Sequence, residues 1–405
     1  QVLACTGGLG EKAEVRPFNR ATQSVRQTGS AIKPLAVLVP GIDKKLFTAS
    51  TIYNDAEKAF EDNYHPVDYI SSLGNITVRR SVESSQNIPF VDMMEEIKPS
   101  VSIKYMKKMG ITTLTEKDKN LPLALGGLEK GISPLQMAGA YSAIANDGKY
   151  IEPTFYTAIN RASGTKVIET RQKKKKAFSK EVAYIVKELL IEPVKGANGT
   201  ATYCKINGVD VAAKTGTTDE NYDRWLCGFT PYYTAVTWFG YDQNETVNFN
   251  QRNPAGLIWA NVMSKIHSGL KTAKFEKPSG VIGVTICAET GMKATTGCPH
   301  TYTEYFLWFT TPQLCNKHSG QEMKTNIDND SKNNTETEII KGITNEIDAK
   351  EPDRTTAPTN STQTNTNSNT ITNNTTNNNK NQTNTQLNIN KPSNNNTSIN
   401  NSTNN

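Results

Sequence analysis

The sequence predicts an α+β domain in which helices cover a sheet, followed by a small separate module and a long disordered tail. Three observations carry that prediction. Apolar residues recur at helical spacing in several segments, as in Val182, Ile185, Val186, Leu189 and Leu190. Short β-branched or aromatic runs lie between and after those segments, the order expected of a layered helix-and-sheet domain. From Thr355 onward most positions are Asn, Thr or Ser, a composition that cannot bury enough apolar surface to offset its ordering entropy.

The chain opens at Gln1 rather than a methionine, and residues 1–8 read as a strand entering a turn, so the sequence is expected to begin inside a longer protein. The helix expected to start near Ser30 is followed by a long loop with few core positions, running through Phe60, Tyr64, His65 and Tyr69; His65, beside Pro66, reads as a surface residue. Ser133, Pro134, Leu135 and Gln136 form a capping box with proline at the first helical position, and that helix is expected to stop at Gly148. A hairpin is expected around Ser163 and Gly164. Asn253 and Pro254 open a further helix with Leu257, Ile258 and Val262 on one apolar side. No run of about 18 apolar residues occurs, so no membrane span is expected within this piece. The net charge of +6 is diffuse, and its densest patch, Lys173 to Lys176, reads as a solvated loop, which argues against a nucleic-acid partner.

The chemistry centres on the stretch from Val209 to Thr218, an apolar run that ends in Lys214, Thr215 and Gly216. A cation, a hydroxyl and a bare backbone on one strand edge suit binding a carboxylate and presenting an N–H to a developing oxyanion. In isolation the same residues are a strand end with a surface lysine. Upstream, Ser30 and Lys33 follow a glycine turn and lead an apolar run, and a spacing of three puts both on one helical face. Ser163 with Lys166 and Ser268 with Lys271 share the spacing without that context. A serine hydroxyl is a poor nucleophile until a neighbour takes its proton, and a lysine takes it only when neutral. Lowering a lysine from near 10.4 to about 7 costs roughly 4 to 5 kcal/mol, within what burial and a second cation supply. Lys214 is the candidate second cation. Ser85 and Asn87 add a hydroxyl that passes a proton and a carboxamide suited to a peptide bond; read alone, they are a polar turn ending a helix before Pro89.

With these three motifs in this order, the chain resembles the penicillin-interactive serine enzymes, and most closely the transpeptidase domain of a class A penicillin-binding protein. Phe18-Asn19-Arg20-Ala21-Thr22-Gln23 resembles the family's lead-in to the serine, and Ala124-Leu125-Gly126-Gly127-Leu128-Glu129-Lys130-Gly131-Ile132-Ser133-Pro134-Leu135 its middle helix entry. The segments from Asp223 to Pro231 and from Val236 to Asp242 resemble the strands after Lys-Thr-Gly. The resemblance covers roughly residues 1–320, with two departures: Thr28 where the family has proline, and Ala213 where it has glycine.

That resemblance implies a penicillin-binding/serine β-lactamase-like domain, an antiparallel sheet covered by helices, over residues 1–275; the change of character beyond it predicts a small cysteine-containing module at 276–325, and composition predicts a disordered tail at 326–405. It implies Ser30 as acylated nucleophile, Lys33 as its base, Ser85 as proton shuttle and Asn87 as substrate-amide clamp. Lys214, Thr215 and Thr217 would anchor the substrate carboxylate beside Gly216, with the N–H groups of Ser30 and Thr217 as oxyanion hole. The implied activity is D-alanyl-D-alanine transpeptidation of peptidoglycan stem peptides at the outer face of the cytoplasmic membrane. It needs no cofactor and is blocked covalently by β-lactams, and an anchor preceding Gln1 would hold the parent protein to the membrane. A serine β-lactamase, a D,D-carboxypeptidase, and a β-lactam sensor or wall-binding scaffold are the alternatives. Against a lactamase, Glu129, Glu152, Glu181 and Glu188 each lack the Glu-x-x-Leu-Asn context of a deacylating base and read as surface residues.

In such an extracytoplasmic setting thiols commonly pair, and Cys298 with Cys315 is the expected bridge. A zinc site on Cys287, Cys298, Cys315 and His318 is its rival, although a tight Cys-x-x-Cys knuckle is missing. Free structural thiols are the third reading, and no metal is assigned.

Overall fold

The stretch after Ser30 is helical, but it is not one regular α-helix. Gly29–Ile32 forms a 3₁₀ turn, Pro34–Leu38 a π-helical turn, and α1 covers Val39–Asp43. Pro34 lacks an N–H and crowds the preceding turn, so the hydrogen-bond ladder changes pitch there. The computed structural model describes residues 1–8, 18–170, 172–249 and 252–323; the tail expected at 326–405 lies outside the described residues.

Strand β1 (Ile52–Asn54) pairs antiparallel with β2 (Asn75–Thr77), bracketing the loop that carries Phe60, Tyr64 and an exposed His65. Thr77 caps α2 (Val78–Ser84), and α3 (Ile88–Ile97) and α4 (Pro99–Lys108) follow. Helix α5 (Pro134–Ala145) starts where expected: Ser133 Oγ accepts from Gln136 N at 3.3 Å. Only half the capping box forms, because the Gln136 amide donates instead to Thr112 Oγ1 at 2.9 Å. Strands β3 (Lys149–Ile151), β4 (Ala158–Asn160), β5 (Lys166–Glu169) and β6 (Lys174–Lys176) come next, β4 and β5 forming the hairpin around Gly164. The lysine patch is therefore an exposed strand paired with β3, not a loop; all three lysines of β6 stay solvated while their backbone joins a ladder.

Helix α6 (Lys180–Lys195) buries Val182, Ile185, Val186, Leu189 and Leu190. The central sheet then runs β7 (Ala212–Thr217), β8 (Asp223–Phe229) and β9 (Thr234–Gly240), antiparallel and in that order. Alternation along β8 divides the two faces. Trp225, Cys227 and Phe229 join the main core with Ala31, Tyr141 and Leu189, whereas Leu226 packs with Trp259 and Met263 of α7 (Pro254–Ile266). Helices thus cover both faces, as the α+β reading expects.

Two further local expectations fail. Helix α7 turns Ala255, Gly256, Trp259 and Met263 inward, while Ile258 and Val262 are 41% and 50% exposed. Trp259 and Met263 are the larger pair at helical spacing, and their burial sets the rotation. Residues 1–8 form no regular strand; two backbone bonds, Val2 N to Thr154 O at 2.8 Å and Arg20 N to Gly7 O at 3.2 Å, tie them down.

The small module is the antiparallel pair β10 (Val281–Cys287) and β11 (Thr301–Leu307) with the loops beyond. The expected Cys298–Cys315 bridge is not formed: all six cysteines are free thiols. Both sulfurs instead gather with Cys287 and His318 around one point, so no two of them are set apart as a pair.

Candidate active site

Two glycines seat the Ser30 turn on the edge of β7. Gly29 has φ +51°, and a Cβ there would lie 2.3 Å from Thr217 O; a Cβ on Gly216 would lie 2.3 Å from Thr28 O. A side chain at either position pushes turn and strand apart. Trp225 Nε1 donates to Gln27 O at 2.8 Å and Tyr141 Oη to Ala31 O at 2.7 Å, which pins the backbone on both sides of Ser30. Thr28 is fully buried with its Oγ1 unpartnered, so the departure from proline leaves an unsatisfied hydroxyl in this turn.

Lys33 is fully buried, and its ammonium donates to Ser85 O at 2.7 Å, Gln86 O at 2.7 Å and Asn87 Oδ1 at 2.8 Å. These bonds use all three ammonium protons and run to the second motif rather than to Ser30, the partner its spacing suggests. Burial, reinforced by the charge of Lys214, holds Lys33 well below the usual lysine range. Lys214 is also fully buried and donates to Ser85 Oγ at 2.7 Å and Thr215 O at 3.2 Å. Burial lowers its ammonium to about 7.

Ser85 is thus gripped twice, its carbonyl by Lys33 and its hydroxyl by Lys214. It ends α2 in the left-handed region, φ 64° and ψ 29°, a conformation that costs a non-glycine residue ~1 to 3 kcal/mol. The turn closes a helix, as its polar residues suggest, and also aims the hydroxyl at Lys214. Asn87 is held at both ends of its amide, Oδ1 by Lys33 and Nδ2 by Val67 O at 2.6 Å. Thr215 Oγ1 lies 2.9 Å from Thr200 Oγ1, and the exposed Thr217 accepts from Arg224 Nη1 at 3.2 Å.

Several contributors have no signal in the sequence. Asp55 accepts from Gln86 Nε2 at 2.5 Å, and Asp68 accepts from the Asn87 N–H. Asp55 Oδ1 and Asp68 Oδ2 remain buried without a donor, and burial pushes the Asp68 carboxyl up to about 6. Both sit on the loop between β1 and β2, which has no periodicity to mark them. Glu188 departs from its surface reading: it is half-buried, and burial pushes its carboxyl up to about 7 against the pull of Arg79.

The state of Lys214 has a measurable consequence. It is cationic below about 7 and neutral above, so capture of a carboxylate-bearing β-lactam by Ser30 is expected to weaken as pH rises through that value. Lys214→Arg keeps the charge and should move the decline upward by several pH units; a wild-type acylation profile flat from pH 6 to 9 would show that Lys214 charge is not used. The same shift makes folding stability fall as pH drops from about 10 to about 7, because the unfolded lysine takes up its proton first.

A serine seated on a strand edge, with two buried lysines meeting at a second serine, is an arrangement suited to serine acyl transfer. The model of the penicillin-binding protein transpeptidase domain matches residues 9–266, and that of the penicillin-binding protein 1A C-terminal domain matches residues 277–320. The chain belongs to the penicillin-binding protein transpeptidase family. It is 34% identical to penicillin-binding protein 1A of Clostridium tetani over 343 residues, covering 79% of this chain and 43% of that relative. Among solved structures, penicillin-binding protein 1A of Haemophilus influenzae aligns with a TM-score of 0.65 at 22% identity, over 73% of this chain and 50% of that one. PonA1 of Mycobacterium tuberculosis, solved in complex with penicillin V, aligns with a TM-score of 0.58 at 22% identity, over 66% and 75%. The chain therefore spans less than half the length of its curated relative. No helix among the described residues is long and apolar enough to cross a membrane.

Proposed function

We propose that this chain is the D-alanyl-D-alanine transpeptidase unit of a longer protein, cross-linking peptidoglycan stem peptides at the outer face of the cytoplasmic membrane through an acyl-enzyme on Ser30. The observation that carries the reading is the double grip on Ser85 by two fully buried lysines whose protons burial has loosened. A neutral amine donates only two hydrogen bonds, so deprotonation frees Lys33 from one of its three acceptors and leaves a lone pair for the Ser30 hydroxyl. Ser30 Oγ then attacks the penultimate D-alanine carbonyl, and the N–H groups of Ser30 and Thr217 receive the oxyanion, each donor worth ~3 to 4 kcal/mol. The seating of Gly29 on Thr217 supports that pairing. Lys214, Thr215 and Thr217 take the terminal carboxylate, Asn87 the substrate amide, and Ser85 passes a proton to the departing D-alanine amine. The amine of a second stem peptide then attacks the ester and restores Ser30.

Labelled penicillin, read by intact mass and peptide mapping, is expected to modify Ser30 once. The adduct should persist for many minutes, because no Glu-x-x-Leu-Asn loop supplies the general base whose absence costs deacylation about 10² to 10⁴-fold. A β-lactam leaving group also stays tethered, where the natural D-alanine departs. Label on Ser163 or Ser268 would sink the assignment, and release of penicilloate within seconds would make this chain a lactamase.

A further inference from the structure

We propose that the small module carries a structural zinc ion held by Cys287, Cys298, Cys315 and His318. Their ligand atoms, three sulfurs and one ring nitrogen, all lie within 4.8 Å of one another. His318 Nδ1 is 3.5 Å from Cys287 Sγ and 3.4 Å from Cys315 Sγ. With Zn–S of about 2.3 Å and Zn–N of about 2.0 to 2.1 Å, a tetrahedron has S···N edges of about 3.6 Å and S···S edges of about 3.8 Å. The two S···N distances match such edges, and the separations of all four atoms stay within 4.8 Å, which places them around a single ion position. A disulfide needs two sulfurs about 2.0 Å apart, and none of the three is so paired.

The surroundings are those of a thiolate cage. Thr295 N donates to Cys298 Sγ at 3.3 Å, and Thr290 Oγ1 donates to Cys315 Sγ at 3.4 Å, bonds that stabilise charge on sulfur. The second ring nitrogen of His318 faces Glu289 Oε2 at 3.6 Å, a neighbour that favours a proton on Nε2 and leaves the Nδ1 lone pair for the metal. Backbone bonds fix the frame: Gly291 N to Cys287 O at 2.9 Å, Cys298 N to Thr295 O at 3.0 Å, and Cys315 N to Lys293 O at 2.8 Å. Three thiolates and an imidazole select zinc among common divalent ions, since magnesium and calcium take oxygen ligands. With four protein ligands the site is closed, so the ion acts on structure and not on the acyl transfer.

The ligands come from three separate stretches, the end of β10, the following loop and the segment after β11, so the ion adds a tie between stretches that backbone bonds already bring together. Ser50 Oγ donates to Gly291 O at 2.8 Å and thereby links this frame to the transpeptidase core.

The test is elemental analysis of the full 405-residue chain, purified without chelator in reducing buffer and desalted, with X-ray absorption at the zinc edge. One zinc per chain is expected, in a shell of three sulfurs and one nitrogen with Zn–S of about 2.3 Å. Cys298→Ser and His318→Ala should each lower retention at least tenfold while Ser30 still takes labelled penicillin. Cobalt substitution of the wild-type chain, which needs no variant to fold, should give intense tetrahedral d–d and thiolate charge-transfer bands. Three results would overturn the proposal: less than about a tenth of an equivalent retained after equilibration with zinc, a metal shell without sulfur, or equal zinc in the variants and the wild type. A native chain lighter by the two hydrogens of a Cys298–Cys315 disulfide would do the same.

Discussion

Lys33→Ala is expected to slow penicillin acylation of Ser30 by about 10² to 10⁴-fold, the usual contribution of a positioned general base. The sequence alone casts Lys33 as a proton acceptor with little role in packing, so that its loss would leave the fold intact. The structure adds a second role. Lys33 is fully buried and its ammonium holds Ser85 O, Gln86 O and Asn87 Oδ1. Removing it strands those acceptors at about 1 to 3 kcal/mol for each one left dry, so the unfolding midpoint should drop together with the rate. Lys33→Met keeps the aliphatic volume and separates the effects: stability should recover in part, and acylation should not. Stopped-flow acylation beside urea unfolding reads both quantities. An unchanged acylation rate in either variant would move the base role to Lys214 or Ser85.

Arg79→Met is expected to destabilise the chain by about 3 to 5 kcal/mol, the cost of stranding a buried partner charge. Arg79 grips Glu304 of β11 with two bonds of 2.6 Å, and Glu192 of α6 at 2.7 Å. Glu304 is fully buried, so without the guanidinium its carboxylate must protonate or disrupt the core. Because α2 carries Arg79 and ends at Ser85, the ion pair also fixes the helix that presents the second motif. Arg79→Met combined with Glu304→Met should recover most of the lost stability, since paired apolar replacement of a buried ion pair is often neutral. Equilibrium urea unfolding of the single and double variants makes the comparison; a single variant losing less than about 1 kcal/mol would show that the pair is not a structural tie.

Much of this was legible before any coordinates. The spacing of Val182, Ile185 and Leu189 is a local pattern, and local patterns are what helix geometry imposes on a chain. Gly216 could be read as the place where a backbone approaches the strand, because only a missing Cβ allows it; the approaching atom is Thr28 O. The types and order of Ser30, Lys33, Ser85, Asn87 and Lys214 were likewise legible, since acyl transfer restricts which side chains serve. Local pattern failed where two faces of one element compete. In α7, Leu257, Ile258 and Val262 compete with Trp259 and Met263, and packing against the sheet buries the larger pair.

The sequence by itself determined the class of fold and the chemical inventory of the site, because periodicity and residue type are properties of neighbours along the chain. Tertiary structure alone decided which atoms meet. It sent the Lys33 ammonium to the Ser85–Asn87 turn rather than to Ser30, brought Asp55 and Asp68 in behind it, and buried Glu304 against Arg79. It also gathered Cys287, Cys298, Cys315 and His318 at one point, where the sequence left a Cys298–Cys315 bridge, a zinc site and free thiols open. Those meetings join residues far apart in the chain. They depend on how layers pack and on which polar groups burial forces to find partners, and neither is written in any short stretch of sequence.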